Sequence, residues 1–274
     1  MPARLARLRD MLEVASISKH FGGVYAVRDV TLACERGEIL GLIGPNGAGK
    51  TTLMNLITGV SPSDSGTVML DEKSLNGLSA RRCAHAGVAR TFQSIRLFDH
   101  LTVRQNVEVA FTTSEFHRAR QAARITIDRL LEEMGLLEMA DRPAPTLPYG
   151  HQRRLEIARA LALAPDYLLL DEPAAGMNRV ESTALIDSIK FIRDRYGCGI
   201  VVIDHDLRFI MTVCERIAVL HMGELIALGP PEEVRNDPRV IEVYIGARDD
   251  EEGPADPASQ PPSSGGQPTM DQHN

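Results

Sequence analysis

One segment of this 274-residue chain constrains its fold more than any other. Residues 44–51 read G-P-N-G-A-G-K-T and fit the pattern G-x-x-x-x-G-K-[ST], between the apolar run Glu38–Ile43 and a segment of helical period, Thr52–Ile57. In such a strand–loop–helix context this pattern forms a phosphate-binding loop, because glycines let backbone N–H groups and the helix N-terminus surround phosphate oxygens. We therefore predict a nucleotide-binding α/β domain.

The residues of this loop are each assigned to nucleotide binding. Lys50 is predicted to reach the β- and γ-phosphates, and the Thr51 hydroxyl is predicted to bind Mg²⁺. The other predicted nucleotide-binding residues here are Gly44, Pro45, Asn46, Gly47, Ala48, Gly49 and Thr52.

A second motif identifies the class of nucleotide chemistry. The apolar run Tyr167–Leu170 is followed directly by Asp171 and Glu172. Asp171, at the strand end, is predicted to hold Mg²⁺, and Glu172 is predicted to orient the water that attacks the γ-phosphate. Since no N-K-x-D guanine-reading motif occurs in the sequence, ATP is favoured over GTP.

Charge, cysteine content and hydropathy exclude several other classes of protein. Six of the 37 acidic residues follow Arg248, which leaves 31 acidic against 30 basic residues before it, so the strongly basic character of a nucleic-acid-binding domain is missing and no nucleic-acid partner is expected. No apolar run reaches membrane-spanning length, and no secretion signal is recognised. The cysteines are scattered, which predicts buried reduced thiols rather than disulfides or a metal site; they are Cys34, Cys83, Cys198 and Cys214.

Apolar, β-branched runs alternate along the chain with segments of helical period, which predicts an α/β fold. The predicted strands are Glu38–Ile43, Thr67–Leu70, Tyr167–Leu170, Ile200–Ile203 and Ile217–Leu220, the last pairing with Leu225–Leu228 in an antiparallel hairpin. From about Ser94 to Tyr149 helical period replaces the strand pattern, which predicts an inserted helical subdomain. The acidic, Pro-rich segment after Arg248 is predicted to be disordered.

With these motifs in this order, the chain resembles the ATP-binding subunits of ABC transporters from about Leu12 to Gly246. The resemblance implies a P-loop NTPase core with a mainly parallel sheet, an antiparallel β subdomain and a helical subdomain at about 94–150. It places an ATPase domain at 12–248, between an N-terminal extension, 1–11, and a tail, 249–274. ATP and Mg²⁺ are the implied cofactors.

The resemblance also assigns the segment that the family usually writes L-S-G-G-Q, which completes the nucleotide site of an opposing subunit. Here it reads Leu147, Pro148, Tyr149, Gly150 and His151. Because Pro148 lacks the serine hydroxyl, the phosphate contact is expected to rest on backbone N–H groups at the start of the following helix.

Three further residues and one loop take roles from the resemblance alone. Gln93 is implied to reach Mg²⁺ or the attacking water, and His205 is implied to contact the γ-phosphate. Phe21 is implied to stack on adenine. The loop Ala174–Asn178 is implied to cross a dimer interface, with Asn178 where the family usually has Asp.

Within the family, the chain is most similar to the ATPases of branched-chain amino-acid importers. The similar stretches are Phe21–Val24, Ala89–Gln93 with Arg96–Phe98 and Leu101–Val103, Leu147–Gly150, Glu172–Asn178 and the ending around Pro238–Gly246. This implies a dimer of ATPases, usually two different chains, on the cytoplasmic face of the membrane. Its partners are two membrane-spanning permease subunits and, indirectly, a solute-binding protein.

Four alternatives remain open. Importers of urea or other amides share much of the pattern, and an exporter ATPase is disfavoured only by local resemblances. A soluble ABC ATPase acting on ribosomes or DNA usually carries two cassettes or long coiled coils, and this chain has one cassette and neither addition. A non-hydrolysing nucleotide-binding scaffold is disfavoured by the presence of Glu172 and His205.

Overall fold

Two β-sheets organise the computed structural model, which describes residues 11–113 and 125–251. The strands are β1 (Met11–Phe21), β2 (Val24–Glu35), β3 (Ile39–Ile43), β4 (Ser65–Leu70), β5 (Lys73–Ser74), β6 (Val88–Arg90), β7 (Tyr167–Asp171), β8 (Gly199–Ile203), β9 (Arg216–His221) and β10 (Glu224–Gly229). The helices are α1 (Lys50–Ile57), α2 (Ala80–Ala86), α3 (Val103–Thr113), α4 (Ile127–Glu133), α5 (Tyr149–Leu161), α6 (Arg179–Tyr196), α7 (Leu207–Val213), α8 (Pro231–Asn236) and α9 (Pro238–Glu251).

The larger sheet has the order β10-β9-β3-β8-β7-β6. Neighbours from β9 to β6 run parallel, and β10 pairs antiparallel with β9. The smaller sheet has the order β2-β1-β4-β5 and is antiparallel. The predicted α/β fold, with a mainly parallel sheet and an antiparallel part, is confirmed.

The predicted strands are all present, with ends that differ by one or two residues. For example, β4 begins at Ser65 rather than Thr67, and β7 includes Asp171. Four strands are missing from those predicted by residue pattern: β1, β2, β5 and β6. The two shortest, β5 and β6, have two and three residues, which are too few to show a periodic pattern. In β1 and β2, irregular register interrupts the alternation of apolar and polar residues.

The central strands are apolar throughout because each of their faces meets a different core. In β7, Leu168 and Leu170 belong to the core beneath the helices, whereas Tyr167 and Leu169 belong to the core shared with α1 and the smaller sheet. Burial on both faces is the reason that a central parallel strand lacks polar alternation.

Helices occupy much of the region in which the sequence predicts a helical subdomain, and residues 114–124 lie outside the described chain. The predicted apolar stripe is buried at Ile125, Leu130, Leu131, Met134 and Leu136. Leu137 is instead 38% exposed. It begins a short 3₁₀ turn after α4 has ended, so the 3.6-residue period no longer applies there.

The two chain ends fall largely outside the described residues. Strand β1 begins at Met11, the last residue of the predicted N-terminal extension, and α9 continues to Glu251, three residues into the predicted tail. All four cysteines are buried free thiols. Over the described residues, no helix has both the length and the apolar character needed to cross a membrane.

Candidate functional site

The predicted site residues converge at one edge of the larger sheet. Strands β3, β8, β7 and β6 are consecutive parallel neighbours, so their carboxyl ends lie side by side. The segments that leave these ends carry the loop 44–49, His205, Glu172 and Gln93, in that order across the sheet. This is the edge at which open parallel sheets bind ligands.

The loop 44–49 needs glycine at two positions for reasons visible in the structure. Gly44 has φ +150°, and a Cβ there would lie 2.1 Å from the Leu220 carbonyl oxygen. Gly49 has φ +100°, and its Cβ would lie 2.2 Å from the Ala26 carbonyl oxygen. The loop is therefore held tightly between β9 and the β1–β2 hairpin, while Asn46 and Gly47 at its tip are exposed.

Lys50 begins α1 and turns its side chain back over the loop. Its Nζ donates to the carbonyl oxygens of Gly44 at 2.7 Å and Pro45 at 3.0 Å. Burial lowers the pKa of Lys50, and the nearby carboxylates of Glu172 and Asp171 partly oppose that shift. A lysine cation is thus held at the mouth of a loop of backbone N–H groups, beside the half-exposed Thr52 and the exposed Thr51.

Asp171 forms a buried ion pair that sequence reasoning missed. Its Oδ2 accepts from Arg90 Nη2 at 2.6 Å, and the two side chains are only 5% and 6% exposed. Arg90 Nη1 also donates to Asn55 Oδ1 on α1 at 2.6 Å. No local pattern distinguishes Arg90, because it lies on a three-residue strand 81 positions from its partner.

Glu172 lies next to two other predicted site residues, Gln93 and His205. Its Oε2 accepts a hydrogen bond from Gln93 Nε2 at 3.0 Å, and it lies 3.8 Å from Nδ1 of His205. Glu172 has φ +45°, a left-handed conformation uncommon for a non-glycine residue and often found at functional sites. Its N–H donates to the Ile203 carbonyl at 2.8 Å, which fixes the turn that leaves β7.

Asp204 is a second residue that sequence reasoning left without a role. It is 2% exposed and accepts from the N–H groups of Ala174 at 3.1 Å and Asp206 at 3.0 Å. Burial raises the pKa of Asp204, and these backbone donors oppose the shift. Asp204 thereby ties the end of β8, beside His205, to the loop after Glu172. His205 itself is 71% exposed.

The segment 147–151 lies apart from the loop 44–51. Leu147 is buried and extended, Pro148 is the N-cap of α5 without a side-chain hydrogen bond, and Tyr149 begins the helix. A Cβ on Gly150 would lie 3.2 Å from the Glu181 carboxylate on α6. Within the described chain, no hydrogen bond or ion pair joins 147–151 to 44–51. Burial and the charge of Arg154 lower the pKa of His151.

Phe21 lies at the end of β1 and is 55% exposed, with Lys19 Nζ 5.4 Å from its ring centroid. The hairpin that carries it abuts the phosphate-binding loop through Ala26 and Gly49. An exposed aromatic ring is therefore held near the loop.

The C-terminal helix α9 also reaches this edge of the sheet. Burial raises the pKa of Tyr244 to about 12, and a hydrogen bond from the Gly44 backbone opposes the shift. The sequence gives no sign of this contact, since the two residues are 200 positions apart along the chain.

A groove of about 430 Å³ lies next to the Gln93 loop, between β6, α3 and α5. Its apolar lining includes Leu97 and Phe98, and its charged lining consists of Arg90, Arg96 and Arg159 with one acidic residue, Glu156. The Arg96 guanidinium lies 4.1 Å from the Phe92 ring centroid, and that of Arg159 lies 5.2 Å from the Phe98 ring centroid. The groove is thus both aromatic and basic.

Comparison with known protein families gives two matches. A family model described as ABC transporter matches residues 27–175. A second model, described as branched-chain amino acid ATP-binding cassette transporter, matches residues 224–250, which include α8 and most of α9.

Individual proteins match over most of this chain. The high-affinity branched-chain amino acid transport ATP-binding protein LivG of Salmonella typhimurium is 43% identical over 251 residues, which cover 87% of this chain and 98% of LivG. The solved ADP conformation of MJ1267, an ATP-binding cassette of an ABC transporter, is 28% identical with a TM-score of 0.76, covering 86% and 99% of the two chains. MJ0796, a bacterial ABC transporter cassette solved as a dimer, is 26% identical with a TM-score of 0.68, covering 80% and 98%.

Proposed function

The chain belongs to the family of ABC transporter ATP-binding proteins, and on that premise we propose that it energises the import of branched-chain amino acids by hydrolysing ATP. The observation that carries the catalytic part is the meeting of Gln93, Glu172 and His205 beside the loop of Lys50. The solute class is supported by the name of LivG and by the family model that matches 224–250.

The geometry supports a separate catalytic role for each of these side chains. The carboxylate of Glu172 orients the attacking water, and Gln93 holds that carboxylate by its 3.0 Å hydrogen bond. Lys50 and His205 stabilise the negative charge that develops on the γ-phosphoryl group. The exposed position of His205 lets it reach a phosphate in the mouth of the site.

The donors available for Mg²⁺ are a carboxylate, a hydroxyl and an amide oxygen, the hard ligands that this ion prefers. We assign them to Asp171, Thr51 and Gln93. Across the described residues, no cluster of three His, Cys, Asp or Glu side chains is present that could hold a metal. Asp171, Thr51 and Gln93 would hold the ion together with phosphate oxygens and water, as is usual for Mg²⁺ with nucleotides, and the ion would neutralise phosphate charge.

We place a second ATP-binding subunit opposite this one. One ATP then lies between 44–51 of one subunit and 147–151 of the other, with the adenine ring against Phe21. Two observations support this arrangement: the segment 147–151 makes no described bond to its own phosphate-binding loop, and MJ0796 is solved as a dimer. Whether the partner is a second copy or a related chain is a separate matter, and the importer resemblance favours a related chain.

The basic, aromatic groove next to the Gln93 loop is our candidate surface for the membrane partner. Its apolar floor and its arginines suit a short helix that carries apolar and acidic side chains. Since Gln93 lies on the loop between this groove and Glu172, a helix bound there adjoins the hydrolytic site. We accordingly propose that the protein acts at the cytoplasmic face of the membrane, bound to permease subunits.

The proposal is tested by uptake of labelled leucine in cells carrying either the native chain or Glu172→Gln, with labelled urea as a parallel solute. We expect leucine uptake and ATP hydrolysis to be lost together, while ATP binding persists. Glu132→Gln, an exposed carboxyl change on α4, is the matched control and should leave both unchanged. Unchanged leucine uptake in Glu172→Gln would withdraw the assigned solute, and unchanged ATP hydrolysis would withdraw the role of Glu172.

A further inference from the structure

Arg153, on the second turn of α5, is completely buried, with 0% of its side chain exposed. Its Nη1 donates to Glu156 Oε2 at 2.7 Å, and Glu156 is itself 2% exposed. An ion pair withdrawn from water to this extent stabilises a fold poorly against apolar replacements, because desolvation offsets most of the attraction. Such a pair calls for a reason other than stability.

The other hydrogen bonds of Arg153 show which segment of the chain the Arg153–Glu156 pair holds in place. Nη1 also donates to the Phe92 carbonyl at 2.9 Å, and Nη2 donates to the Gln93 carbonyl at 2.9 Å. Glu156 completes the arrangement from the other side, since its Oε1 accepts from the Phe92 N–H at 3.4 Å. Three backbone groups of the Gln93 loop are therefore bound by two side chains of one helix.

The Arg153 guanidinium also contacts the backbone of Glu172, the second residue of the Gln93–Glu172 hydrogen bond. Arg153 Nη2 lies 3.5 Å from the Glu172 carbonyl oxygen and 3.5 Å from the Tyr149 hydroxyl. One planar group thus contacts the backbone of both residues whose side chains meet at 3.0 Å. Arginine suits this task because its fork of N–H donors has a fixed geometry, whereas a lysine offers a single charged point.

We propose that Arg153 is a positioning residue that sets the Gln93–Glu172 hydrogen bond by tying the Gln93 loop and the turn at Glu172 to the start of α5. The inference rests on the proposed catalytic roles of Gln93 and Glu172. It extends them by making the helix that follows 147–151 responsible for the placement of both. Since Glu156 also lines the basic groove, the pair connects the candidate docking surface with the hydrolytic site.

The test compares Arg153→Lys with Arg154→Lys, the same change at the next, only partly buried position of α5. In the chain purified as a complex with its partner ATPase and permease subunits, we expect Arg153→Lys to lower kcat for ATP hydrolysis about tenfold with KM for ATP unchanged within about threefold, because the phosphate-binding loop is untouched. Arg154→Lys should leave both parameters unchanged. A native kcat in Arg153→Lys, or an equal loss in Arg154→Lys, would overturn the proposal.

A double-mutant cycle separates positioning from general damage. If Arg153 acts through Gln93, then Gln93→Ala should lower kcat in the native background but lower it little further in the Arg153→Lys background. Losses that multiply would contradict the proposal even if each single variant is impaired. If Arg153→Lys does not fold, Glu156→Gln takes its place in the same cycle, with the same two outcomes.

Comparing Arg153→Lys with Glu172→Gln distinguishes the positioning role from the proposed function. Full hydrolysis by Glu172→Gln would remove the catalytic assignment itself. Loss of hydrolysis in Glu172→Gln together with a native kcat in Arg153→Lys would remove only the role of Arg153.

Discussion

Arg90 and Asp171 form an ion pair of 2.6 Å in which neither side chain is more than 6% exposed, although Asp171 is the carboxylate that we assign to Mg²⁺. The arginine occupies Oδ2, and its second N–H group holds Asn55 on the helix that follows the phosphate-binding loop. The carboxylate is therefore fixed in orientation by the protein.

Removing one member of this pair should cost more stability than removing both. Arg90→Met leaves the Asp171 charge buried without a partner, so we expect the free energy of unfolding to fall by about 3–5 kcal/mol. Arg90→Met combined with Asp171→Asn should recover part of that loss. Urea denaturation measures both, and Arg239→Met, which breaks a surface ion pair with Asp237, should leave the free energy of unfolding nearly unchanged. A double variant less stable than Arg90→Met would contradict the expectation.

Two glycines of the phosphate-binding loop should differ sharply in their tolerance of alanine. Gly47 and Gly49 both have positive φ, so alanine at either position strains the backbone by about 1–2 kcal/mol. A Cβ at Gly47 meets nothing within 4 Å, whereas at Gly49 it lies 2.2 Å from the Ala26 carbonyl. We expect Gly49→Ala to lose additional stability and ATP affinity relative to Gly47→Ala. Thermal unfolding measures the stability of the two variants, and titration with a fluorescent ATP analogue measures their ATP affinity. Equal losses in Gly47→Ala and Gly49→Ala would show that the β1–β2 hairpin moves to accommodate the added methyl group.

We expect Asn178 to act mainly as the cap of α6, so that the presence of Asn where the family usually has Asp has little effect on stability. Its side chain accepts from the N–H groups of Val180 at 2.9 Å and Glu181 at 3.0 Å, and Glu181 accepts in return from the Asn178 N–H. Asn178→Ala should lower the free energy of unfolding by about 1 kcal/mol, and Asn178→Asp should keep it within about 0.5 kcal/mol, because either side chain can cap. A large loss in Asn178→Asp would instead point to a requirement for the neutral amide.

The candidate docking groove should lose its partner when its charge is reversed. Arg96 is exposed and lies over the Phe92 ring, so Arg96→Glu changes the charge of the groove rather than the core. We expect less of the chain to co-purify with membranes that contain the permease, and less leucine uptake. Arg82→Glu, on α2 and also exposed, is the control. Equal behaviour of the two variants would place the partner elsewhere.

Much of the site follows from local sequence. The loop 44–51 and the acidic pair after β7 are recognisable because each motif is contiguous and adjoins an apolar strand. Their meeting at one sheet edge follows from parallel strand order, since carboxyl ends of adjacent parallel strands lie together. Short elements are less predictable: β6 has three residues, and the predicted stripe of the helical region fails at Leu137, which begins a short 3₁₀ turn.

The sequence by itself determined the phosphate-binding loop, the carboxylates beside it and the alternation of strands and helices, because these depend on residues that are close along the chain. Only the tertiary structure decided that Arg90 holds Asp171, that Arg153 holds the Gln93 loop, and that Asp204 joins β8 to the turn after Glu172. These partners are 30 to 81 positions apart. A buried charged side chain pairs with an opposite charge or a backbone polar group that the strand order places beside it. Its role therefore depends on the packing of the whole sheet.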